Sequence, residues 1–329
     1  KNVFGIYSLS PALRTSAKLK NIAERTILIG ESILKKGDSF ALRVKRSGKH
    51  DYSSQTVAVY IGKQVLENFP ELNLKVNLSN PDKSIFIEVR NEFTYIFTDI
   101  IKSNWAGLPV ERNKNIICMD IGRLEDIAAG FMLMKRGCNL FPILFKITEN
   151  NKNIELWKSN WNQMLNYSHK QNIKLNLIDI TKILRKIDSK LKHKEYFCAL
   201  CRLIRFELVS KILDSPEYEK IQRARAISCG LALNNSSYCS DRVDLSTMSL
   251  SYKFFNHPLF TPIIGFSEKD VKTLLKKISE KLDPIDYCIF KPKYQKFDVK
   301  LVEKIYNSLD LKEDFEECLR NIESFFIIN

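Results

Sequence analysis

No apolar run in the 329 residues approaches the roughly 20 that a membrane-spanning helix requires; Leu140 to Phe145 is among the longest. No secretory apolar segment with a cleavage site opens the chain, and eight cysteines are too sparse for a disulfide-built scaffold. The expected setting is therefore a reducing, cytoplasmic one, away from membranes. Repeats and low-complexity tracts are absent as well. With 44% hydrophobic and 27% charged residues, neither a disordered chain nor a fibre is expected. What the chain is short of is acid: 38 Asp and Glu stand against 52 Lys and Arg, a formal +14 that favours a polyanionic partner. At roughly 100 to 200 residues per domain, the length predicts two or three domains. The chain starts at Lys1, without Met, and enters folded-looking sequence at once. The expectation is that upstream residues have been removed or left out.

The first hundred residues alternate in hydrophobic period. Ile22 to Leu34 carry apolar residues at helical spacing, with Lys35, Lys36 and Gly37 as a cationic, glycine-capped stop. Phe40, Leu42 and Val44 alternate with Ala41, Arg43 and Lys45, a half-buried strand with a basic outer side. Ser53 or Ser54 can cap a helix with Val57, Ile61 and Val65 on one face. Strands are predicted again at Leu72 to Leu78 and at Ile85 to Val89. This is an α/β module, and the change of pattern after Gly107-Leu108-Pro109 puts a boundary near residue 110.

Beyond it, Ile116 to Met119 is a short continuous apolar run, as a buried parallel strand should be. A loop at Asp120 to Asp126 leads into a helix at Ile127 to Arg136, and strands at Leu140 to Phe145 and Leu175 to Ile180 flank a helix marked by Trp157, Trp161 and Leu165. Strand and helix in alternation predict a doubly wound parallel sheet, whose ligands bind beyond the carboxyl ends of the strands, at the Asp120 to Asp126 loop. The stretch Lys182 to Lys211 holds nine cations against three acids. It reads either as a solvated helix face or as an RNA-facing surface. Ser267 to Ile278 and Asp298 to Phe326 read as helices packed outside the sheet.

Several of these stretches carry a resemblance. Phe40 to Gln55, with its Lys45-Arg46-Ser47-Gly48-Lys49-His50 turn, then Val76 to Asp82, Ile87 to Arg90 and Gly107-Leu108-Pro109, resemble the THUMP RNA-binding domain of the tRNA 4-thiouridine synthase (ThiI) family. Gly5 to Ala12 looks like the last part of the ferredoxin-like domain that precedes THUMP there. Ala128-Ala129 with Met132 to Gly137 resembles the helix after the family's pyrophosphatase (PP) loop, and Thr261 to Phe266 a later landmark. The resemblance is to archaeal-type members without a rhodanese domain. It implies a remnant of the ferredoxin-like domain at 1–12, a THUMP domain at 13–110 and a PP-loop-like domain of the adenine nucleotide α-hydrolase kind at 111–329.

One departure stands against these matches. ATP-using members of the family carry Ser-Gly-Gly-x-Asp-Ser at the strand-to-helix loop, where backbone N–H groups cradle phosphates. Here the residues are Ile121-Gly122-Arg123-Leu124-Glu125-Asp126, and only Gly122 is kept. Arg123 adds bulk, and Glu125 and Asp126 add anions that repel polyphosphate. The family's second nucleotide stretch is unmatched after Ser228-Cys229-Gly230, which continues Leu231 to Asn235. The loop is therefore expected to be degenerate, with binding of ATP and Mg in doubt.

Cys198 and Cys201 form an i, i+3 pair in a predicted helix, and Cys288 follows 87 residues later. Spacing alone fits small buried hydrophobes on one helix face. The resemblance implies more, because archaeal members carry a Cys-x-x-Cys and one distant Cys as thiolate ligands of an iron–sulfur cluster. The rival chemistry uses Cys288 as a persulfide-carrying nucleophile with Cys201 or Cys198 as the resolving thiol. Cys118 and Cys138 read as core residues, whereas Cys229, Cys239 and Cys318 carry no pattern. In the THUMP-like part, Arg43, Lys45, Arg46, Lys49 and His50 are the candidate RNA contacts. The resemblance implies a tRNA-binding sulfurtransferase that makes 4-thiouridine, served by a sulfur donor such as a cysteine desulfurase or sulfide. It leaves a homodimer open. Two alternatives remain: a non-catalytic tRNA-binding paralogue with a decayed nucleotide site, and sulfur transfer for the thiazole of thiamine.

Overall fold

The computed structural model describes residues 2–109, 111, 113–150, 152–168, 172–218, 224–232, 249, 252, 255–285, 288–290, 292 and 298–328. The chain divides into two compact units, one over Ser8–Ser103 and one over Asn2–Tyr7 with Asn104–Asn329.

In the first unit, short strands β1 (Ser8–Leu9) and β7 (Ile101–Lys102) pair antiparallel. A five-stranded mixed sheet is built from β2 (Leu13–Ser16), β3 (Ser39–Arg46), β4 (Lys75–Val76), β5 (Lys83–Val89) and β6 (Phe93–Phe97) in the order β2-β6-β5-β3-β4. Helices α1 (Leu19–Ile33) and α2 (Ser54–Asn68) bury Ile22, Val57, Ile61 and Val65 with Phe40, Ile85, Ile87 and Ile96 of the sheet. The Ser53 hydroxyl caps α2 by accepting the Thr56 amide at 3.0 Å. Two expectations need correcting. Gly37 is not the cap of α1, which ends at Leu34; it takes φ +86° in the turn beyond and donates its amide to the Leu72 carbonyl at 2.7 Å. The predicted strand at Leu72 to Leu78 shrinks to β4, because Pro70–Leu72 winds as a 3-10 turn.

The second unit holds a six-stranded sheet of β8 (Asn115–Asp120), β9 (Asn139–Lys146), β10 (Asn172–Asp179), β11 (Ala226–Ser228), β12 (Leu259–Phe260) and β13 (Glu323–Ile328), in the order β12-β11-β8-β9-β10-β13. The first five run parallel and β13 is antiparallel to β10. Helices α3 (Leu124–Met134), α4 (Lys152–Leu165) and α7 (Glu268–Ile278) supply Phe131, Trp157, Trp161 and Leu275 to one hydrophobic layer. Helices α5 (Thr181–Lys190), α6 (Phe197–Asp214), α8 (Val299–Ser308) and α9 (Lys312–Arg320) supply Ile183, Leu200, Ile204, Val302 and Phe315 to the other. The doubly wound sheet is as expected. Helix α3 stops where Gly137 at φ +82° lets its own amide reach Met134 O and the Cys138 amide reach Leu133 O, a Schellman closure.

The end of the chain differs from expectation. Residues 323–328 form an edge strand, because Phe325 and Ile327 alternate with Phe326 and Ile328, and the first pair packs on the layer under α4. The cationic stretch Lys182 to Lys211 is not one surface either. Arg202 and Arg205 lie inside the protein on α6, while Lys182, Arg185 and Lys194 pair with Glu317, Glu149 and Asp188 at 2.6 to 2.7 Å. Among the described residues, no helix is long and apolar enough to cross a membrane.

Candidate functional site

Strand order reverses direction between β8 and β11, so the crevice at their carboxyl ends is where a doubly wound sheet receives a ligand. The residues meeting there are Asp120 at the end of β8, the loop Ile121-Gly122-Arg123, the first turn of α3, and Ser228-Cys229-Gly230 after β11.

Three backbone donors of this crevice, the Ile121, Gly122 and Gly230 amides, bond to the carboxylates of Asp120 and Asp126. Asp120 Oδ1 accepts the Gly122 amide at 2.6 Å, and its Oδ2 accepts the indole N–H of Trp157 at 2.8 Å and of Trp161 at 2.9 Å. Asp126, in the first turn of α3, accepts the Gly230 amide at 2.8 Å, the Ile121 amide at 3.3 Å and the Arg123 guanidinium at 3.2 Å. Both members of the Arg123–Asp126 pair are buried, at 8% and 2% side-chain exposure. Asp126 thus sits as a built-in anion at a helix N-terminus, the place a phosphate takes in nucleotide-binding relatives of this architecture. Burial, together with the charge of Asp126, pushes the Asp120 carboxyl up to about 7, against the pull of the Trp161, Gly122 and Trp157 donors. Burial likewise pushes the Cys229 thiol up to about 11, with Asp126 adding to the rise and Arg123 and Arg202 opposing it.

The glycines close the crevice further. A Cβ on Gly122, at φ +88°, would lie 2.6 Å from Ile285 Cβ, and the Ile285 amide donates to Gly122 O at 3.1 Å. A Cβ on Gly230 would come within 2.5 Å of the Asp126 backbone nitrogen. Polyphosphate would have to compete for this loop: the Ile121, Gly122 and Gly230 amides bond to internal carboxylates, and Ile285 lies against Gly122. Residues 233–235 and Cys239 lie outside the described residues.

Cys198 and Cys201 are buried in the first turns of α6, and the Cys201 carbonyl accepts Arg205 Nε at 3.3 Å. Cys288 is half-buried against the same apolar layer that holds Cys201. Its neighbour Phe290 stacks on Phe197 at 5.1 Å, which brings the Cys288 segment to the start of α6. Among the described residues, however, no group of three or more His, Cys, Asp or Glu side chains could hold a metal ion. An iron–sulfur cluster on Cys198, Cys201 and Cys288 is thus not shown, although Cys201 and Cys288 share one apolar layer. The residues flanking Cys288, Asp286 and Tyr287, fall outside the described residues. Cys118 and Cys138 are buried, as expected of core residues.

In the first unit, Arg43, Lys45 and Arg46 lie along β3, and Lys49 and His50 lie in the turn that follows. Gly48 makes that turn at φ +93°, where a Cβ would collide with the Asn91 side chain at 2.2 Å. Lys45, Arg46 and Lys49 are exposed, with Arg46 Nη1 donating to Gly48 O at 3.0 Å. His50 is tied down: Nε2 lies 3.2 Å from the Ser47 carbonyl, and its ring stacks on Tyr52 at 5.3 Å. Sequence reasoning missed Asp120. Its signal was an acid closing an apolar strand opposite two tryptophans at i, i+4, whose buried N–H groups need acceptors.

A THUMP domain model matches residues 16–99, and a thiamine biosynthesis protein (ThiI) model matches residues 115–311. A tRNA sulfurtransferase of Blochmanniella pennsylvanica is 27% identical over 300 residues, covering 89% of this chain and 58% of that protein. A probable tRNA sulfurtransferase of Methanosarcina acetivorans is 34% identical over 144 residues, 43% of this chain and 35% of its own length. The chain therefore spans between about a third and three fifths of the length of these two. A probable tRNA sulfurtransferase of Saccharolobus solfataricus is 28% identical over 326 residues, covering 98% of this chain and 82% of that one. Among solved structures, a 4-thiouridine synthetase in complex with RNA and bound ATP superposes with a TM-score of 0.82 at 20% identity, covering 99% of this chain and 84% of the other. At that identity the likeness concerns the fold.

Proposed function

Because the chain belongs to the thiamine biosynthesis protein (ThiI) family, we propose that it is a cytoplasmic, tRNA-binding sulfurtransferase whose product is 4-thiouridine. The observation that carries this reading is the union, in one chain, of a THUMP region bearing exposed Lys45, Arg46 and Lys49 with a ThiI region that brings the Cys288 segment to the start of α6. We take residues 13–110 as the RNA-binding module and 111–329 as the sulfur-handling domain, with 1–12 as the tail of a preceding domain. Arg43, Lys45, Arg46 and Lys49 neutralise RNA phosphates, and His50 shapes the turn that presents them.

Of the two sulfur chemistries we favour the persulfide, because Cys288 is half-buried and reachable by a donor whereas Cys198 and Cys201 are buried. A desulfurase or sulfide in the presence of an oxidant loads Cys288 as a persulfide. Its outer sulfur attacks C4 of a uracil whose oxygen has been activated, and the C4–O bond breaks. The thiolate of Cys201 or Cys198 then attacks the inner sulfur of Cys288, so that a disulfide with Cys288 forms, the S–S bond to the base breaks and the outer sulfur stays on C4. An external thiol returns the two electrons. With the Ile121 and Gly122 amides of the loop after β8, and the Gly230 amide, held by internal carboxylates, this reading assigns activation of the uridine to a separate nucleotide-binding protein.

That same loop favours a second reading, a tRNA-binding member of the family that has given up thiolation. Nucleoside mass spectrometry of tRNA from cells with the gene, without it, and with Cys288→Ser decides between them. Loss of 4-thiouridine in both altered strains is expected. Unchanged 4-thiouridine on deletion of the gene would leave the second reading.

A further inference from the structure

The five-stranded sheet of the first unit buries only one of its faces. Ile85, Ile87 and Val89 of β5 and Thr94 and Ile96 of β6 point to α1 and α2, and the alternate residues point the other way. Strand register places those outward residues in rows. Arg14, Tyr95, Glu88 and Lys45 stand side by side across β2, β6, β5 and β3. Phe97, Phe86 and Arg43 form the next row. Phe93 lies beyond Tyr95 on the same side of β6 and is 41% exposed.

The rings are paired with cations. Phe86 and Phe97 stack face to face at 5.2 Å with 9° between planes. The Arg14 guanidinium lies 4.7 Å from the Phe93 ring centre, and that of Arg90 lies 6.0 Å from Tyr95. Glu88 is the one acid in these rows, and Arg90 holds it at 2.9 Å. Four cations, Arg14, Arg43, Lys45 and Arg90, thus surround a strip of aromatic rings. An apolar protein partner would not need that charge, and a duplex keeps its base faces stacked inward. A strand of unpaired nucleotides has both features that this surface complements, a line of phosphates and free π-faces.

Resting on the RNA-binding reading above, we propose that this open sheet face is a stacking platform for an unpaired segment of the bound RNA. Bases lie on Phe93, Tyr95 and the Phe86–Phe97 pair, and phosphates run past Arg14, Arg43 and Lys45. Stacking of this kind tolerates any base, so the platform holds the strand without reading its sequence.

The test measures binding of the full chain to whole tRNA, to a single-stranded oligoribonucleotide of about eight nucleotides, and to an abasic oligomer of equal charge. The Phe93→Ala/Tyr95→Ala variant should lose roughly tenfold or more in affinity for the oligoribonucleotide. Tyr95→Phe should keep it, and the abasic oligomer should bind the unaltered chain as weakly as the RNA binds the double variant. Both altered residues lie outside the buried core, and an unchanged thermal midpoint checks the fold. Undiminished oligoribonucleotide affinity in the double variant, or equal affinity for the abasic oligomer, overturns the platform and assigns the face to a protein partner. Failure of the unaltered chain to bind whole tRNA at low salt is a different result, which removes the RNA-binding reading itself.

Discussion

The carboxylate of Asp126 accepts the amide of Gly230 at 2.8 Å, joining the first turn of α3 to the loop after β11 across the ligand crevice of the sheet. A phosphate in that crevice would need the same amide and would meet the carboxylate in its place. ATP with Mg should therefore leave the thermal midpoint where it is. A ligand present at a hundred times its Kd would add about 2.7 kcal/mol of stability. A saturable, ATP-dependent rise of the midpoint would show that the crevice opens.

Removing that carboxylate should be costly. Asp126→Ala takes the charge partner from a buried guanidinium and the acceptor from the Ile121 and Gly230 amides. Breaking a buried pair from one side costs about 3–5 kcal/mol. Urea unfolding should show a loss in that range for Asp126→Ala and a smaller one for Asp126→Asn, which keeps an acceptor oxygen. A loss below about 1 kcal/mol, within the range of an exposed pair, would mean that the network does not hold the loop.

Asp120 adds a pH dependence of definite sign. Its folded-state carboxyl titrates near 7, above the ordinary value of 3.8. The folded protein then binds a proton that the unfolded chain has released, so this group's contribution is fully present below about pH 4 and is lost as pH rises to about 7. Asp120→Asn lacks this titration, so the stability difference between the variant and the unaltered chain should change over that window and be flat above it. In the folded protein, the emission of Trp157 and Trp161, whose indoles bond to Asp120, should shift around pH 7, where the folded-state carboxyl titrates. A difference independent of pH would place the Asp120 carboxyl back among ordinary carboxylates.

These carboxylates also mark where sequence reading stops. The departure from a phosphate loop was legible in Ile121 to Asp126, because Arg123 stands where the motif has a glycine and Asp126 where it has a serine. That the acids satisfy the loop's own amides was not legible, since Gly230 lies 104 residues from Asp126 and only the β8–β11 pairing brings them together. The doubly wound order could be read because Ile116 to Met119 and Leu140 to Phe145 are continuous apolar runs. Strand β13 was lost among charged helical residues, since its pairing with β10 is a long-range event with a six-residue local signal. Arg202 and Arg205 misled for a related reason: a cation count along a chain cannot see that α6 is buried on nearly every side.

The basic turn predicts a change in salt dependence rather than in specificity. Lys45, Arg46 and Lys49 are exposed and stand at one end of β3. Each phosphate neutralised contributes about 0.9 to the slope of log K against log salt on a duplex. Replacing all three by Ala should weaken tRNA binding and flatten that slope by roughly 2 to 3 units. An unchanged slope would move the RNA contact to another surface.

The sulfur chemistry makes its prediction through access. Cys118, Cys138, Cys198, Cys201, Cys229 and Cys318 are buried, whereas Cys288 is half-buried, and a thiol that receives sulfur from a donor must be reachable. In a Cys239→Ser background, which removes the cysteine outside the described residues, brief alkylation of the native chain should label Cys288 first. Cys288→Ser should abolish that fast phase without altering tRNA affinity, because the thiol is not among the phosphate contacts. After incubation with a cysteine desulfurase and cysteine, the fast-labelled peptide should carry one added sulfur that a reductant removes. Fast labelling at Cys198 or Cys201 would exchange the roles of carrier and resolving thiol. Sulfur loading of none of the three would leave the family's chemistry outside this chain, and the filled crevice beside Asp126 would then belong to a protein that holds tRNA and does not modify it.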